Sequence, residues 1–129
     1  MNPEFLTLSE VLEIHADQIR RFGGRLGIRD MGLLQSAVAM PEAGFGEDYL
    51  HSDLFEMAAA YLFHIVQNHP FVDGNQRTGA VAALVFFHLN DVEITVDDDA
   101  LERRVRGVAA GKMRKETVAD FFRRHAERP

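Results

Sequence analysis

From Gly79 to Phe87 the chain reads Gly-Ala-Val-Ala-Ala-Leu-Val-Phe-Phe, apolar on every side of any helix it could form. A helix apolar all round must be interior, so the fold has to wrap other elements around residues 75–90. Immediately upstream lies the opposite kind of sequence. The run His69-Pro70-Phe71-Val72-Asp73-Gly74-Asn75-Gln76-Arg77-Thr78-Gly79 packs a base, a carboxylate, an amide, a cation and glycines into one short turn. The polar turn is thereby held at the N-terminus of a core helix. Free backbone N–H groups and the positive end of the helix dipole attract anions there, and Asn75 and Arg77 add side-chain donors that can fork onto phosphate oxygens. His69, on the loop just before, can supply a base. Taken singly, Asp73 reads as an N-cap, Gly74 as a turn residue and Arg77 as a surface cation; their conjunction with His69 is what points to a phosphate site.

Around this segment the periodicity predicts helices. Leu8, Val11, Leu12, His15, Ile19 and Phe22 follow helical spacing, with Thr7 and Glu10 as a capping box and Gly23-Gly24 as the stop. Asp30 caps a second helix burying Leu33, Leu34, Ala37 and Val38, and Pro41 ends it. Residues 42–52 lack periodicity and read as a mobile flap or loop. A third helix starts at Asp53 with Glu56 and runs to Asn68; the central fourth spans residues 75–90. Val92, Ile94 and Val96 alternate with polar residues as one extended piece, and one isolated strand cannot form a sheet. Asp97 to Asp99 cap a fifth helix with Leu101, Val105, Val108 and Ala109, and Thr117 with Asp120 starts a sixth through Val118, Phe121 and Phe122. The expected fold is all-α, a compact six-helix bundle with a central apolar helix and at most one short strand or flap, and residues 1–129 form a single domain.

Charge is distributed unevenly: residues 1–100 carry 5 Lys and Arg against 16 Asp and Glu, a balance of −11, and residues 101–129 carry 9 against 4, a balance of +5. The acidic body argues against direct nucleic-acid binding, which depends on neutralising phosphates. The basic segment (Arg103, Arg104, Arg106, Lys112, Arg114, Lys115, Arg123, Arg124 and Arg128) reads as a solvated helix face or a dock for an acidic partner. With no cysteine, no signal-peptide pattern at Met1-Asn2-Pro3-Glu4-Phe5-Leu6, and no apolar run approaching the ~18 residues a bilayer requires, the expectation is a cytoplasmic protein without membrane segments. Among the remaining histidines, His15 falls on an apolar stripe as a core or supporting residue. His64 and His88 sit in apolar runs, His51 and His125 near polar ends, and no His-x-x-x-His spacing offers a metal pair.

The loop resembles the signature of the Fic/Doc superfamily, His-x-Phe-x-(Asp/Glu)-Gly-Asn-(Gly/Lys)-Arg, and is closest to the death-on-curing (Doc) toxin branch. The resemblance extends to Ile14-His15-Ala16-Asp17, Phe22-Gly23-Gly24, Gly27-Ile28-Arg29-Asp30 with Gly32-Leu33-Leu34, and Asp53-Leu54-Phe55-Glu56-Met57-Ala58. It implies a nucleotide-dependent transferase in which His69 is the general base. It further implies that Asp73 binds Mg²⁺ and that Gly74, Asn75, Gln76 and Arg77 hold the phosphates of ATP, with Phe71 expected to anchor the loop. AMP-transferring Fic enzymes carry a second arginine where this chain has Ala80, whereas Doc lacks it and moves the γ-phosphate onto elongation factor Tu. Doc has Ala and Lys where this chain has Gly74 and Gln76. The resemblance therefore implies a phosphotransferase acting on a protein hydroxyl, with AMP transfer and a catalytically weak binding module as alternatives. The inhibitory pattern Ser/Thr-x-x-x-Glu-(Gly/Asn) of self-restrained Fic proteins fails at its last position in both near matches, Ser9 to Ile14 and Ser52 to Met57. Restraint is accordingly expected from a separate Phd-like antitoxin.

Overall fold

In the computed structural model, which describes residues 2–127, six α-helices enclose one hydrophobic core reaching from Leu6 to Phe122. Helix α1 (Leu8–Phe22) opens with a reciprocal capping box: the Thr7 hydroxyl accepts from the Glu10 N–H at 3.1 Å, and the Glu10 carboxylate accepts from the Thr7 N–H at 2.9 Å. It buries Val11, His15 and Gln18. Phe22, predicted to lie on the buried stripe, is 63% exposed, its ring under the Arg77 guanidinium instead. Helix α2 (Met31–Ala39) is capped by Asp30 and buries Leu34 and Ala37; Leu33, expected in the core, lies at the surface, outside the narrow face that Leu34 and Ala37 bury. Pro41 is buried in the 3-10 turn Met40–Glu42 that ends it.

Where a flap without periodicity is expected, the chain forms a hairpin of strands β1 (Gly44–Phe45) and β2 (Asp48–Tyr49), antiparallel with Gly44 opposite Tyr49 and Phe45 opposite Asp48. Two-residue strands are too short to show alternation, so nothing in the sequence marks them. Both are exposed, Phe45 at 92%.

Helix α3 (Leu54–Asn68) is capped by Asp53, which accepts from the Glu56 N–H at 2.8 Å. Glu56 does not close the expected box; its carboxylate takes the Ser52 hydroxyl and pairs with Arg123 at 3.3 Å. Helix α4 (Asn75–Leu89) is the apolar central element, and α3 shares the centre with it, packing against α2, α4, α5 and α6. The two meet at Gly79, where an added Cβ would stand 2.9 Å from Val66 Cγ2 and 3.1 Å from the Leu62 carbonyl oxygen. Aromatic contacts tie the layers together, Tyr61 to Phe86 at 5.3 Å and Phe87 to Phe122 at 5.1 Å between ring centroids. Beyond α4, residues 92–96 are extended and, among the described residues, pair through the single bridge of Ile94 with Ala126. Helix α5 (Asp98–Ala109) is capped by Asp97 as expected. Helix α6 (Lys115–His125) begins two residues before the predicted Thr117, with Arg114 at its N-cap, and Asp120 pairs with Arg123 rather than closing a box on Thr117. No helix among the described residues is long and apolar enough to cross a membrane. Arg128, assigned to the basic segment, lies outside the described residues.

Candidate active site

The signature loop joins the two central helices. Helix α3 ends at His69, which adopts the left-handed conformation (φ 50°, ψ 53°), and α4 begins after Gly74, also left-handed (φ 79°, ψ 17°). Glycine meets the second turn at no steric cost. Its absent side chain matters too, because a Cβ there would stand 3.1 Å from Ile19 Cδ1.

Inside the loop Asn75 acts as a clamp. Its side-chain oxygen accepts from the Phe71 N–H at 2.9 Å and its amide donates to the Phe71 carbonyl at 3.0 Å, in a buried position. The Asn75 side chain, read from sequence as a phosphate donor, is therefore spent on the loop backbone, and what it offers a ligand is its N–H. No side chain caps α4, whose first intrahelical bond runs from the Thr78 N–H to the Gly74 carbonyl at 3.0 Å. The N–H groups of Asn75, Gln76 and Arg77 precede that bond and remain available to an anion.

A second segment straps the loop from outside. The Arg29 and Asp30 N–H groups donate to the Pro70 carbonyl at 2.7 and 3.0 Å, and the Val72 N–H donates to the Gly27 carbonyl at 3.0 Å. The Arg29 guanidinium reaches the last carbonyls of α3, His69 at 2.7 Å and Asn68 at 3.0 Å. It thus fixes the turn that aims His69. Asp73 is held by its neighbours as well: one carboxylate oxygen accepts from the Arg25 N–H at 2.7 Å, and its carbonyl accepts from His15 Nε2–H at 2.8 Å. His15 lies flat on Phe71, centroids 3.7 Å apart, so the loop's anchor ring is sandwiched against α1. Burial pushes the His15 imidazole below its ordinary value, against the hydrogen bond to Asp73; it serves as a neutral donor. Arg77 donates to the Gly23 carbonyl at 2.9 Å, leaving the rest of its fork free.

These arrangements open onto one cleft of about 400 Å³, lined by His69, Val72, Asp73, Gly74, Asn75, Gln76 and Arg77 with Val66, Gln67 and Ala109. All six residues singled out in the loop border it. A shallower hollow of about 560 Å³ near Val92 to Val96 contains none of them. His69 and Gln76 are exposed and Asp73 and Arg77 half-buried. Sequence reasoning passed over the strap. Arg29 figured in the resemblance without a role and Gly23 only as a helix stop, although a stretch holding Gly23, Gly24 and Gly27, all with positive φ, signals a chain laid closely against another backbone.

A helical bundle that presents an exposed histidine and an uncapped core-helix N-terminus across one glycine-containing loop defines the Fic type of protein. The family model described as Fic/DOC family matches residues 5–87, and the chain belongs to that family. It is similar to the protein named Toxin Doc from Mycolicibacterium smegmatis, 47% identical over 79 residues, a match spanning 60% of each chain. It is also similar to the protein named Protein kinase doc from Escherichia phage P1, 33% identical over 115 residues, covering 89% of this chain and 90% of that one.

Proposed function

We propose that the protein is a Doc-like toxin that transfers the γ-phosphoryl group of ATP to a hydroxyl of a target protein and is restrained by a Phd-like antitoxin. One observation carries this reading: the exposed His69 and the uncapped N-terminus of α4 border the same cleft, a base and an anion cradle within one loop. The residues suit a magnesium nucleotide. Among the described residues Asp73 is the only carboxylate lining the cleft, and it would hold the ion there as a hard oxygen ligand. When bound, ATP with Mg²⁺ supplies the phosphoryl group and spreads its charge.

The chain's own residues divide the remaining work. His69 takes the proton of the attacking hydroxyl as its oxygen bonds to the γ-phosphorus, while the bond from that phosphorus to the β,γ-bridging oxygen breaks and ADP leaves. The first-turn N–H groups of α4, with Arg77 and Gln76, hold the phosphate oxygens, and Arg29 keeps His69 in its turn. Preference for phosphoryl over AMP transfer rests on Ala80. It packs against the core instead of lining the cleft, so no second cation grips the outer phosphates from that position.

The test is incubation with ATP labelled at the γ- or the α-phosphate, with purified elongation factor Tu as first target and cell lysate as the second. Label retained on protein from the γ-position alone is the expected result. Retention from the α-position alone replaces the reading with AMP transfer, and retention from neither leaves the binding module.

A further inference from the structure

On the other side of α3, a cavity of about 260 Å³ lies between the base of the hairpin and the start of α6, lined by Leu50, His51, Glu56, Lys115, Glu116 and Ala119. It shares no residue with the active-site cleft. His51, which the sequence places near a polar end, is only 3% exposed, and neither ring nitrogen reaches hydrogen-bond geometry with a partner among the described residues, although the Pro41 carbonyl lies near the ring. A buried imidazole without partners is costly. Beside it the half-buried Lys115 ammonium donates to His64 Nε2 at 3.1 Å, spending one of its three protons. Lys115 is also the first residue of α6. No side chain caps that helix, and its first intrahelical bonds come from the Thr117 and Val118 N–H groups to the Arg114 carbonyl, so the Lys115 and Glu116 N–H groups precede the ladder.

Free donors thus converge on one hollow: an ammonium, an orphaned imidazole and the positive end of a helix. Two carboxylates also line it: Glu56 is turned towards Arg123 at 3.3 Å, a guanidinium it shares with Asp53 and Asp120, and takes the Ser52 hydroxyl, while Glu116 is exposed at the rim. Burial and the Lys115 charge hold His51 below its ordinary value, with Glu56, the Pro41 carbonyl and Glu116 acting the other way. His64 is pushed down to about 4 by burial, Lys115 and His51. A negative group in the cavity would face His51 and Lys115, the two of these side chains that line it.

We propose that this cavity is a second binding site, which takes a small oxyanion of the phosphate or carboxylate type between His51, Lys115 and the N-terminus of α6. The site joins the hairpin to α6 through its ligand. The experiment follows the histidine ring signals of the full chain by NMR during separate titrations with sodium phosphate, sodium acetate and, at matched ionic strength, sodium chloride. The expected result is a saturable shift of His51 with phosphate or acetate and none with chloride. Response to phosphate alone assigns a phosphate-type ligand, and response to both assigns any carboxylate-sized oxyanion. Lys115→Met should weaken the binding about tenfold by removing a charged donor. Glu116→Gln, at the rim, should tighten it about twofold to fivefold, which keeps the test alive if the first variant does not fold. A His51 response equal to that of chloride, or one unchanged in both variants, overturns the proposal and leaves the cavity to water. Phosphate held at α4 reports separately through His69, so the two sites are read in one titration.

Discussion

His69 and Asn75 stand six positions apart and do opposite kinds of work. The His69 side chain makes no hydrogen bond among the described residues and is exposed, so its removal should cost the fold little. In His69→Ala, thermal stability should stay within about 1 kcal/mol of the parent, while phosphoryl transfer falls about 10²- to 10⁴-fold, the usual span for general-base catalysis. Undiminished transfer by the variant would refute the assignment of the base. Asn75 behaves in reverse. Asn75→Ala leaves the Phe71 N–H and carbonyl unpaired in a buried place, and a loss of about 2–4 kcal/mol is expected from orphaning them. A urea midpoint that falls with an unchanged slope would show it. Arg29 belongs between these two. Lysine cannot span both carbonyls as the guanidinium does, so Arg29→Lys should lower the transfer rate about tenfold through misplacement of His69 while leaving nucleotide affinity unchanged. Equal losses in rate and affinity would reject that positioning role.

Among the elements, those with a periodic apolar face or a capping residue were legible in the sequence. Helices α1, α3 and α5 begin where Thr7, Asp53 and Asp97 indicate, α1 stops at Gly23 and α3 at Asn68 as expected, and α4 begins at the expected Asn75, although Gly74 rather than Asp73 stands at its N-cap. The hairpin at 44–49 was not, because two paired residues leave no pattern. Nor was the start of α6, where an arginine with no capping bond occupies the position that Thr117 seemed suited to fill. The α3–α4 crossing can be tested at Gly79. Alanine there gains about 1 kcal/mol of helix propensity. The new methyl, however, meets a backbone oxygen and a core valine, neither of which can swing away, and overpacking of this kind costs about 1–3 kcal/mol. A net destabilisation is expected in Gly79→Ala, read as a lower melting temperature; a rise would show that the helices have room to spare.

For the molecule as a whole, three histidines set the pH dependence of stability. His15, His51 and His64 are all held below their ordinary value, burial being the largest cause in each. As pH falls below about 6.5, the unfolded chain takes up protons that the folded one refuses. Stability is thus fully present above that value and is lost as pH falls towards the folded values, for His64 down to about 4. The slope should reach at most ~1.4 kcal/mol per pH unit for each histidine. Urea melts at pH 7.5, 6 and 5 measure it, and a flat profile would contradict the burial argument. The site itself was only half legible. The loop's own chemistry stands in one run of sequence, but the strap that shapes it comes from residues 23–30, whose hydrogen bonds to the loop carry no local signature. Those bonds link positions 40 to 54 residues apart, Arg29 to His69, Arg25 to Asp73 and Arg77 to Gly23. Loop-closure entropy must be met before such contacts return anything. The cleft should accordingly be assembled late, after α3 and α4 have docked, and a chain still emerging from the ribosome holds no finished cleft until both stretches have been synthesised and have met.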